Sequence, residues 1–206
     1  MFSCILFDVD GTLLNTKKTT RLAAQAAIRE TLGKEVDGQI VDSLFGISNY
    51  EAAPVYGYSD PMDFVVAIEK HYAVYAAQYN ELFPGVPGVL NELKTRGVPM
   101  GVITARTRQE YDFDFDIFGL HQYFGVSVTL DDTVRGKPAA DPIEKYIAQT
   151  GAQRSAILFV GDTPPDYGCA QNAGVAFAFA GWSGNNKIAG ADYCLNTPDE
   201  ILALVE

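Results

Sequence analysis

The chain begins with a short apolar run that stops at a pair of acidic residues. Residues 4–7 carry four consecutive apolar side chains, and Asp8 and Asp10 follow with only Val9 between them. An apolar run of this length predicts a buried strand over residues 3–8. Aspartate is a poor strand residue, and a buried carboxylate is costly unless it is paired or binds a metal. The two aspartates therefore need partners from elsewhere in the chain.

From about residue 16 to residue 82 the apolar positions recur at helical spacing. The pattern predicts helices at 20–32, 36–44, 49–55 and 60–79, and no convincing strand. Asp60 and Pro61 mark the start of the last of these, because aspartate is a good N-cap residue and proline fits the first helical position. The segment 83–85 closes this helical region.

Beyond residue 85, apolar segments alternate with amphipathic ones. Strands are predicted at 98–104, 126–130, 156–160, 175–179 and 193–195. Helices are predicted at 86–95, 107–118, from Asp141 onward, 166–173 and 198–205. Strands rich in Val, Ile and Phe that alternate with helices predict a parallel sheet covered on both faces. The expected fold is α/β: a three-layer, Rossmann-like core over residues 1–15 and 84–206, with a small all-helical domain over residues 16–83 inserted after the first strand.

The composition fits an ordinary globular protein and narrows its partners. The chain has 206 residues, of which 48% are hydrophobic and 20% are charged, and its formal net charge is −11. Proteins that bind nucleic-acid backbones need clustered Lys and Arg, so we expect no nucleic-acid partner. An anionic substrate would require positive charge placed locally at its site.

Other features predict a cytoplasmic protein that does not bind membranes. Cys4, Cys169 and Cys194 have no paired spacing, which is typical of free thiols in a reducing compartment. The first apolar run ends at Asp8, far short of the ~20 residues of a membrane span. His71 and His121 lack the spacing of metal ligands and are interpreted as surface or packing residues.

Polar side chains follow several strands of the expected sheet. In an open α/β sheet, ligands bind outside the carboxyl ends of the strands. The candidates at these ends are Asp8 and Asp10 after the first strand, Thr104 after the second, Lys137 after the third, and Asp162 with Asp166 after the fourth. Close carboxylates repel one another, and a hard divalent cation such as Mg²⁺ relieves that repulsion. Because Lys137 and Thr104 add donors suited to phosphate, the pattern predicts a metal-dependent anion site.

These motifs resemble the four ordered motifs of the haloacid dehalogenase superfamily. They are Asp8-Val9-Asp10-Gly11-Thr12, Thr104, Lys137-Pro138, and Gly161-Asp162 with Asp166. The helical insert resembles the cap domain of the superfamily's phosphoglycolate phosphatase and β-phosphoglucomutase branch. The resemblance spans almost the whole chain.

The resemblance implies a role for each matched residue. Asp8 is the nucleophile, and Asp10 is the general acid and then the general base. Phosphate is held by backbone groups of Val9, Gly11 and Ala105 and by the side chains of Thr104 and Lys137. Mg²⁺ is bound by Asp8, by Asp10 through its carbonyl, and by Asp162, with Asp166 in support. Proton transfer by Asp10 requires a carboxyl that is sometimes neutral, and we expect burial under the cap to favour that form.

The implied function is a Mg²⁺-dependent phosphatase that hydrolyses a small phosphomonoester through an aspartyl-phosphate. The substrate would be a small phosphorylated metabolite, phosphoglycolate-like or a sugar phosphate, and the enzyme a monomer or weak homo-oligomer. One alternative is a β-phosphoglucomutase-like phosphomutase, since both reactions use an aspartyl-phosphate. The other is a non-catalytic binding or regulatory protein of the same fold.

Some positions depart from the pattern or admit a second interpretation. Asn15-Thr16 stands where an acidic residue and a hydroxyl are usual, and Ala105 where a small polar residue is common. Pro164-Pro165 is unusual and removes two N–H donors. Asp166 could serve only as the acidic third residue of a helix capped by Thr163. Arg106 is interpreted as a solvated residue, with substrate contact as the alternative.

Overall fold

The computed structural model describes residues 1–205, which form eight strands and eight α-helices. The strands are β1 (Cys4–Phe7), β2 (Leu14–Asn15), β3 (Glu81–Leu82), β4 (Met100–Ile103), β5 (Val126–Val128), β6 (Ile157–Gly161), β7 (Ala176–Ala180) and β8 (Tyr193–Leu195). The helices are α1 (Lys17–Leu32), α2 (Gly38–Ser43), α3 (Asn49–Tyr56), α4 (Pro61–Tyr79), α5 (Val86–Thr95), α6 (Arg108–Phe118), α7 (Asp141–Thr150) and α8 (Pro164–Ala173).

Six of the strands form one parallel sheet in the order β5-β4-β1-β6-β7-β8. The first strand of the chain lies at the centre, where Ile5 is opposite Met100 on one side and Leu158 on the other. A central strand of a parallel sheet is buried on both faces, which explains its continuous apolar run. The predicted parallel α/β core is confirmed.

Successive side chains of the central strands pack against different layers of helices, as strand geometry requires. Phe7, Val102 and Val160 belong to a core that includes apolar side chains of α5 and α6. Leu6 and Phe159 belong to a second core, with side chains of α7 and α8. The sheet is therefore covered on both faces, and its carboxyl edge is left for loops.

Several elements of the structure differ from the prediction. The predicted final helix is a 3₁₀ segment, Pro198–Ala203, a form that is common in short connecting pieces. The strand predicted to reach Leu130 stops at Val128, and a short 3₁₀ turn capped by Thr129 follows it. The short strands β2 and β3 were not predicted, because two residues are too few to show a periodicity.

The chain forms two compact units. One comprises Met1–Leu14 together with the chain from Leu82 onward, and contains the six-stranded sheet. The other is Asn15–Glu81, and these bounds lie within two residues of the predicted domain limits. No helix within residues 1–205 combines the length and apolar character needed to cross a membrane.

The helical unit has a hydrophobic core of its own. Phe64 of α4 is buried against Tyr56 and Tyr58, with ring centroids 5.0 and 5.2 Å apart. Small side chains such as Ala23 of α1 let the helices approach closely. Asn15, at the edge of this unit, donates from Nδ2 to Oε1 of Glu81 at 3.2 Å. Packing therefore accounts for Tyr56 and Tyr58, and Asn15 has a partner within the same unit.

Candidate active site

The first loop of the site continues directly from β1. The Asp8 N–H donates to the Val160 carbonyl at 2.9 Å, so Asp8 extends the sheet ladder by one residue. The Val9 carbonyl then accepts the N–H of Leu13 at 3.0 Å and that of Leu14 at 2.9 Å, which closes a turn. The Val9 side chain is fully buried in the apolar core. The two aspartates thus lie at the carboxyl edge of the sheet while Val9 anchors the loop between them.

Only glycine fits the backbone conformation and the close packing at position 11 of this turn. Its φ is 82°, in the left-handed region, and a Cβ there would overlap the carboxylate of Asp162. Its N–H already donates to the Leu14 carbonyl at 2.8 Å. A direct contact between this N–H and phosphate therefore stays a prediction, whereas the close approach to Asp162 is a fact of the structure.

Lys137 links two of the predicted acidic residues. Its ammonium Nζ donates to Oδ1 of Asp8 at 2.6 Å and to Oδ1 of Asp166 at 2.6 Å, and all three side chains are buried. The two carboxylates raise the pKa of Lys137 against the effect of burial. A loop lysine that would otherwise be solvated is thus held charged in the site.

Asp166 both caps a helix and contacts the site. Its Oδ2 accepts the N–H of Asp162 at 3.2 Å, the N–H of Thr163 at 3.0 Å and the hydroxyl of Thr163 at 2.5 Å. Its Oδ1 accepts from Lys137. The capping interpretation of Asp166 is therefore correct, and the same side chain also contacts Lys137, while its support of a metal stays a prediction. Since Asp166 accepts four donors, it is better placed to support a cation than to be its main ligand.

The Pro164-Pro165 pair is explained by the same helix start. Thr163 is the N-cap of α8, so the prolines occupy the first two helical positions. The N–H groups there have no partner within a helix, and proline's fixed φ suits them. The prediction that this helix begins at Asp166 was two residues too late.

Asp162 is held by two residues outside its own loop. Asn185 donates from Nδ2 to Oδ2 of Asp162 at 2.6 Å, and the Thr12 hydroxyl lies 3.5 Å from Oδ1. Burial, and repulsion by Asp166 and then Asp8, raise the pKa of Asp162 well above its usual range. Asn185 comes from the loop after β7, and sequence reasoning missed it because nothing in that polar loop distinguishes it from Asn186.

Three buried carboxylates converge at this edge of the sheet. Asp8, Asp162 and Asp166 each place one oxygen within 4.8 Å of the others. Lys137 contacts two of them, so the cluster is short of positive charge. Burial and repulsion by Asp166 raise the pKa of Asp8 despite the neighbouring ammonium. Carboxylate oxygens are the ligands that Mg²⁺ prefers, so this donor set fits a divalent cation.

Asp10 has partners that the sequence did not predict. Both of its carboxylate oxygens accept from Arg106, at 2.7 Å from Nε and 2.7 Å from Nη2. The Asp10 side chain is 21% exposed, so burial does not dominate its surroundings. A bidentate guanidinium stabilises the ionised carboxylate, which is opposite to the neutral form that we expected burial to favour.

Arg106 is buried rather than solvated, which corrects the interpretation from the sequence. It follows Thr104 and Ala105, and its N–H donates to the Thr104 hydroxyl oxygen at 3.2 Å. A signal for its partner was present in α6. Asp114 lies between Tyr111 and Phe115 in the sequence, on the buried side of that helix, and a fully buried acid requires a cation. Thr104 is buried and Ala105 is half-buried beside it.

Comparisons with known proteins point to one family. A family model described as haloacid dehalogenase-like hydrolase matches residues 5–180. A phosphoglycolate phosphatase of Aquifex aeolicus is 28% identical over 207 residues, which covers 98% of this chain and 96% of the relative. A relative named putative pyrophosphatase PpaX, from Caldanaerobacter subterraneus, is 30% identical over 185 residues, or 88% of this chain and 82% of the relative.

A solved structure supports the same fold. CbbY from Rhodobacter sphaeroides, in complex with phosphate, superposes with a TM-score of 0.84 at 22% identity, covering 98% of this chain and 96% of that chain. At this identity the likeness concerns the fold. The chain thus resembles proteins of this family along nearly its full length.

Proposed function

Because this chain belongs to the haloacid dehalogenase-like hydrolases, we infer that it is a phosphatase, and we propose that it uses Mg²⁺ to hydrolyse a small phosphomonoester through an aspartyl-phosphate. The observation that carries the proposal is the cluster of Asp8, Asp162 and Asp166 around Lys137 at the carboxyl edge of the sheet. Such a cluster gives a nucleophile, a cation site and an anion contact within a few ångströms.

The reaction takes place in two transfers. A carboxylate oxygen of Asp8 attacks phosphorus, the bond from phosphorus to the ester oxygen breaks, and Asp10 gives a proton to the departing oxygen. Asp10 then removes a proton from water, the water oxygen attacks the phosphoryl group, and Asp8 is released together with inorganic phosphate. Dividing the hydrolysis in this way replaces one difficult step with two easier ones.

The metal would be held by Asp8, Asp162 and the Asp10 carbonyl, with Asp166 in support. When bound, Mg²⁺ neutralises charge between the carboxylate nucleophile and the phosphoryl oxygens. The phosphoryl group would be held by Lys137, by the Thr104 hydroxyl and by backbone groups of Val9, Gly11 and Ala105. Lys137 also keeps Asp8 in place through the 2.6 Å contact.

We assign residues 1–15 and 84–206 to a catalytic core domain and residues 16–83 to a helical cap domain. The likeness of the helical unit to a cap supports a small substrate, since caps in this family exclude bulk water. The names of the relatives support two substrates, phosphoglycolate and pyrophosphate. We favour the monoester because the phosphoglycolate phosphatase aligns over 98% of this chain at 28% identity, whereas the PpaX relative at 30% identity aligns over 88% of it.

A panel of phosphorylated metabolites tests the proposal. Purified protein would be incubated with phosphoglycolate, sugar phosphates and pyrophosphate, with Mg²⁺ or with EDTA, and released phosphate measured. We expect release from at least one monoester with Mg²⁺, none above background with EDTA, and none from Asp8→Asn. Release from pyrophosphate alone would overturn the monoester assignment. Conversion of β-glucose 1-phosphate to glucose 6-phosphate without phosphate release would favour the phosphomutase, and inertness on the whole panel would favour a binding protein.

A further inference from the structure

Arg106 is enclosed by acidic partners. Only 7% of the residue is exposed, although it lies in the loop after β4. Two of its nitrogens, Nε and Nη2, form the parallel pair of bonds to the carboxylate of Asp10. A fork of this kind fixes both the distance and the plane of the carboxylate.

The far side of the guanidinium is anchored to helix α6. Nη1 donates to Oδ2 of Asp114 at 2.6 Å and to the carbonyl oxygen of Glu110 at 3.1 Å. Asp114 is fully buried, and the start of its helix is fixed by the capping box of Thr107 and Glu110. All three guanidinium nitrogens are therefore directed at carboxylate or carbonyl oxygens of the chain itself.

We propose that Arg106 is a positioning residue that holds Asp10 in the orientation needed for proton transfer, with Asp114 acting through Arg106. This inference rests on the proposed role of Asp10 as general acid and base. An acid is effective only within hydrogen-bond reach of the oxygen that it protonates, and a small displacement costs much of the rate. Because Arg106 is engaged with Asp10 and Asp114, we assign it to Asp10 and not to the substrate.

The proposal predicts a dependence on the leaving group. Nitrophenolate is a stable anion and departs with little help, whereas an alkoxide needs the proton that Asp10 supplies. The value of kcat/KM reports the steps up to transfer of the phosphoryl group to Asp8, which include cleavage of the ester bond. Loss of the Arg106 fork should therefore lower kcat/KM for an alkyl phosphate much more than for p-nitrophenyl phosphate.

The experiment compares wild type with Arg106→Met, Arg106→Lys and Asp114→Asn on the best alkyl monoester of the panel and on p-nitrophenyl phosphate. For Arg106→Met we expect a loss of about 10²-fold or more on the alkyl ester and of less than about tenfold on the aryl ester. Arg106→Lys keeps the charge without the fork, so its loss should be intermediate, with the same preference. If circular dichroism finds the methionine variant unfolded, Arg106→Lys still tests the proposal. Asp114→Asn should also lower kcat/KM more for the alkyl ester than for the aryl ester, but by a smaller factor than the Arg106 variants.

Arg108→Lys is the matched control. Arg108 is the next arginine of the same segment, and it bonds the Ser127 carbonyl and Asp132 instead of Asp10. For Arg108→Lys, kcat/KM on both esters should stay within about twofold of wild type, since its partly exposed pair with Asp132 contributes little and the charge is kept. Equal losses on the two esters in both Arg106 variants would overturn the positioning role.

Asp10→Asn separates this inference from the proposed function. If Asp10→Asn loses far more kcat/KM on the alkyl ester than on p-nitrophenyl phosphate, and the Arg106 variants do not, only the positioning role fails. If Asp10→Asn itself shows no such preference, the acid role has failed, and the proposed mechanism with it.

Discussion

Two aspartates of one loop, separated by a single residue, lie in opposite electrostatic surroundings. Asp8 is buried, shares one ammonium with Asp166, and lies within 4.8 Å of two other carboxylates. Asp10 is 21% exposed and has both oxygens on one guanidinium. The first surroundings have too little positive charge, and the second have a cation fitted to the carboxylate.

The difference shows how one short loop supports two kinds of chemistry. A buried carboxylate cluster short of positive charge favours binding of a further cation, which also sets the nucleophile against an anionic phosphoryl group. A carboxylate in a bidentate pair is fixed in distance and plane, which suits a group that exchanges a proton with the leaving oxygen and then with water. The surroundings, more than the residue type, therefore distinguish nucleophile from acid and base.

The largest expected effect separates the two aspartates directly. Asp8→Asn should abolish turnover, because the amide cannot form the aspartyl-phosphate. Asp10→Asn should still transfer the phosphoryl group from p-nitrophenyl phosphate, but should hydrolyse the intermediate slowly for lack of a base. Rapid-quench measurement should find a burst of nitrophenolate close to one per site in Asp10→Asn and none in Asp8→Asn. A burst in both variants would mean that Asp8 is not the nucleophile.

The second prediction concerns the single ammonium of the Asp8 cluster. Lys137→Met leaves Asp8 and Asp166 buried without their cation, and breaking a buried pair costs about 3–5 kcal/mol of the free energy of unfolding. Urea unfolding without metal at pH 8 measures that loss, which should shrink at pH 5.5 as Asp8 takes up a proton. Arg135→Met is the control, since its pair with Asp141 is largely exposed and its unfolding midpoint should stay unchanged. Equal urea midpoints for the two variants would contradict the proposal that the buried carboxylates depend on the Lys137 ammonium.

The features that could be predicted from the sequence depend on residues that lie close together along the chain. Asp8 could be predicted because it directly follows a buried apolar run. The sheet could be predicted because apolar strands alternate with helices along the sequence. The helix predicted at 107–118 is likewise present, and a capping box of Thr107 and Glu110 marks its start. Pro164 and Pro165 were misjudged because the helix was started at its acidic third residue instead of at Thr163.

Long-range contacts account for the parts that were missed. Arg106 and Asp10 are 96 residues apart, and Asn185 and Asp162 are 23 apart. Whether a loop arginine is solvated or buried depends on which side chain meets it in the fold, and single-residue patterns carry no such information. The buried position of Asp114 in α6 was the available exception, because an acid on the apolar side of a helix requires a cation.

The third prediction uses the pH dependence of stability in metal-free protein. Burial and repulsion by Asp166 raise the pKa of Asp8 from 3.8 to about 7. Between those values the folded chain binds a proton that the unfolded chain lacks, so this contribution to stability is complete below the lower value and is lost as pH rises through the upper one. In EDTA, Tm should therefore fall by several degrees between pH 6 and pH 8, more in wild type than in Asp8→Asn, where a shift of ~3 °C corresponds to about 1 kcal/mol. Identical slopes for the two proteins would show that Asp8 is not the group responsible.

The smallest expected effect concerns Asn185, which orients Asp162 on the metal side of the comparison. Asn185→Ala removes the 2.6 Å bond to Oδ2 of Asp162 and leaves the carboxylate itself in place. Residues that orient a metal ligand are typically worth about 10–100-fold in metal affinity, so the Mg²⁺ concentration for half-maximal activity should rise by that factor, as should the dissociation constant from calorimetry. Asn186→Ala, at the exposed neighbouring position, should leave both values unchanged. If Asn185→Ala lowers kcat at saturating Mg²⁺ and leaves metal affinity intact, then Asn185 acts on the substrate side of the site and Asp162 does not depend on it for orientation.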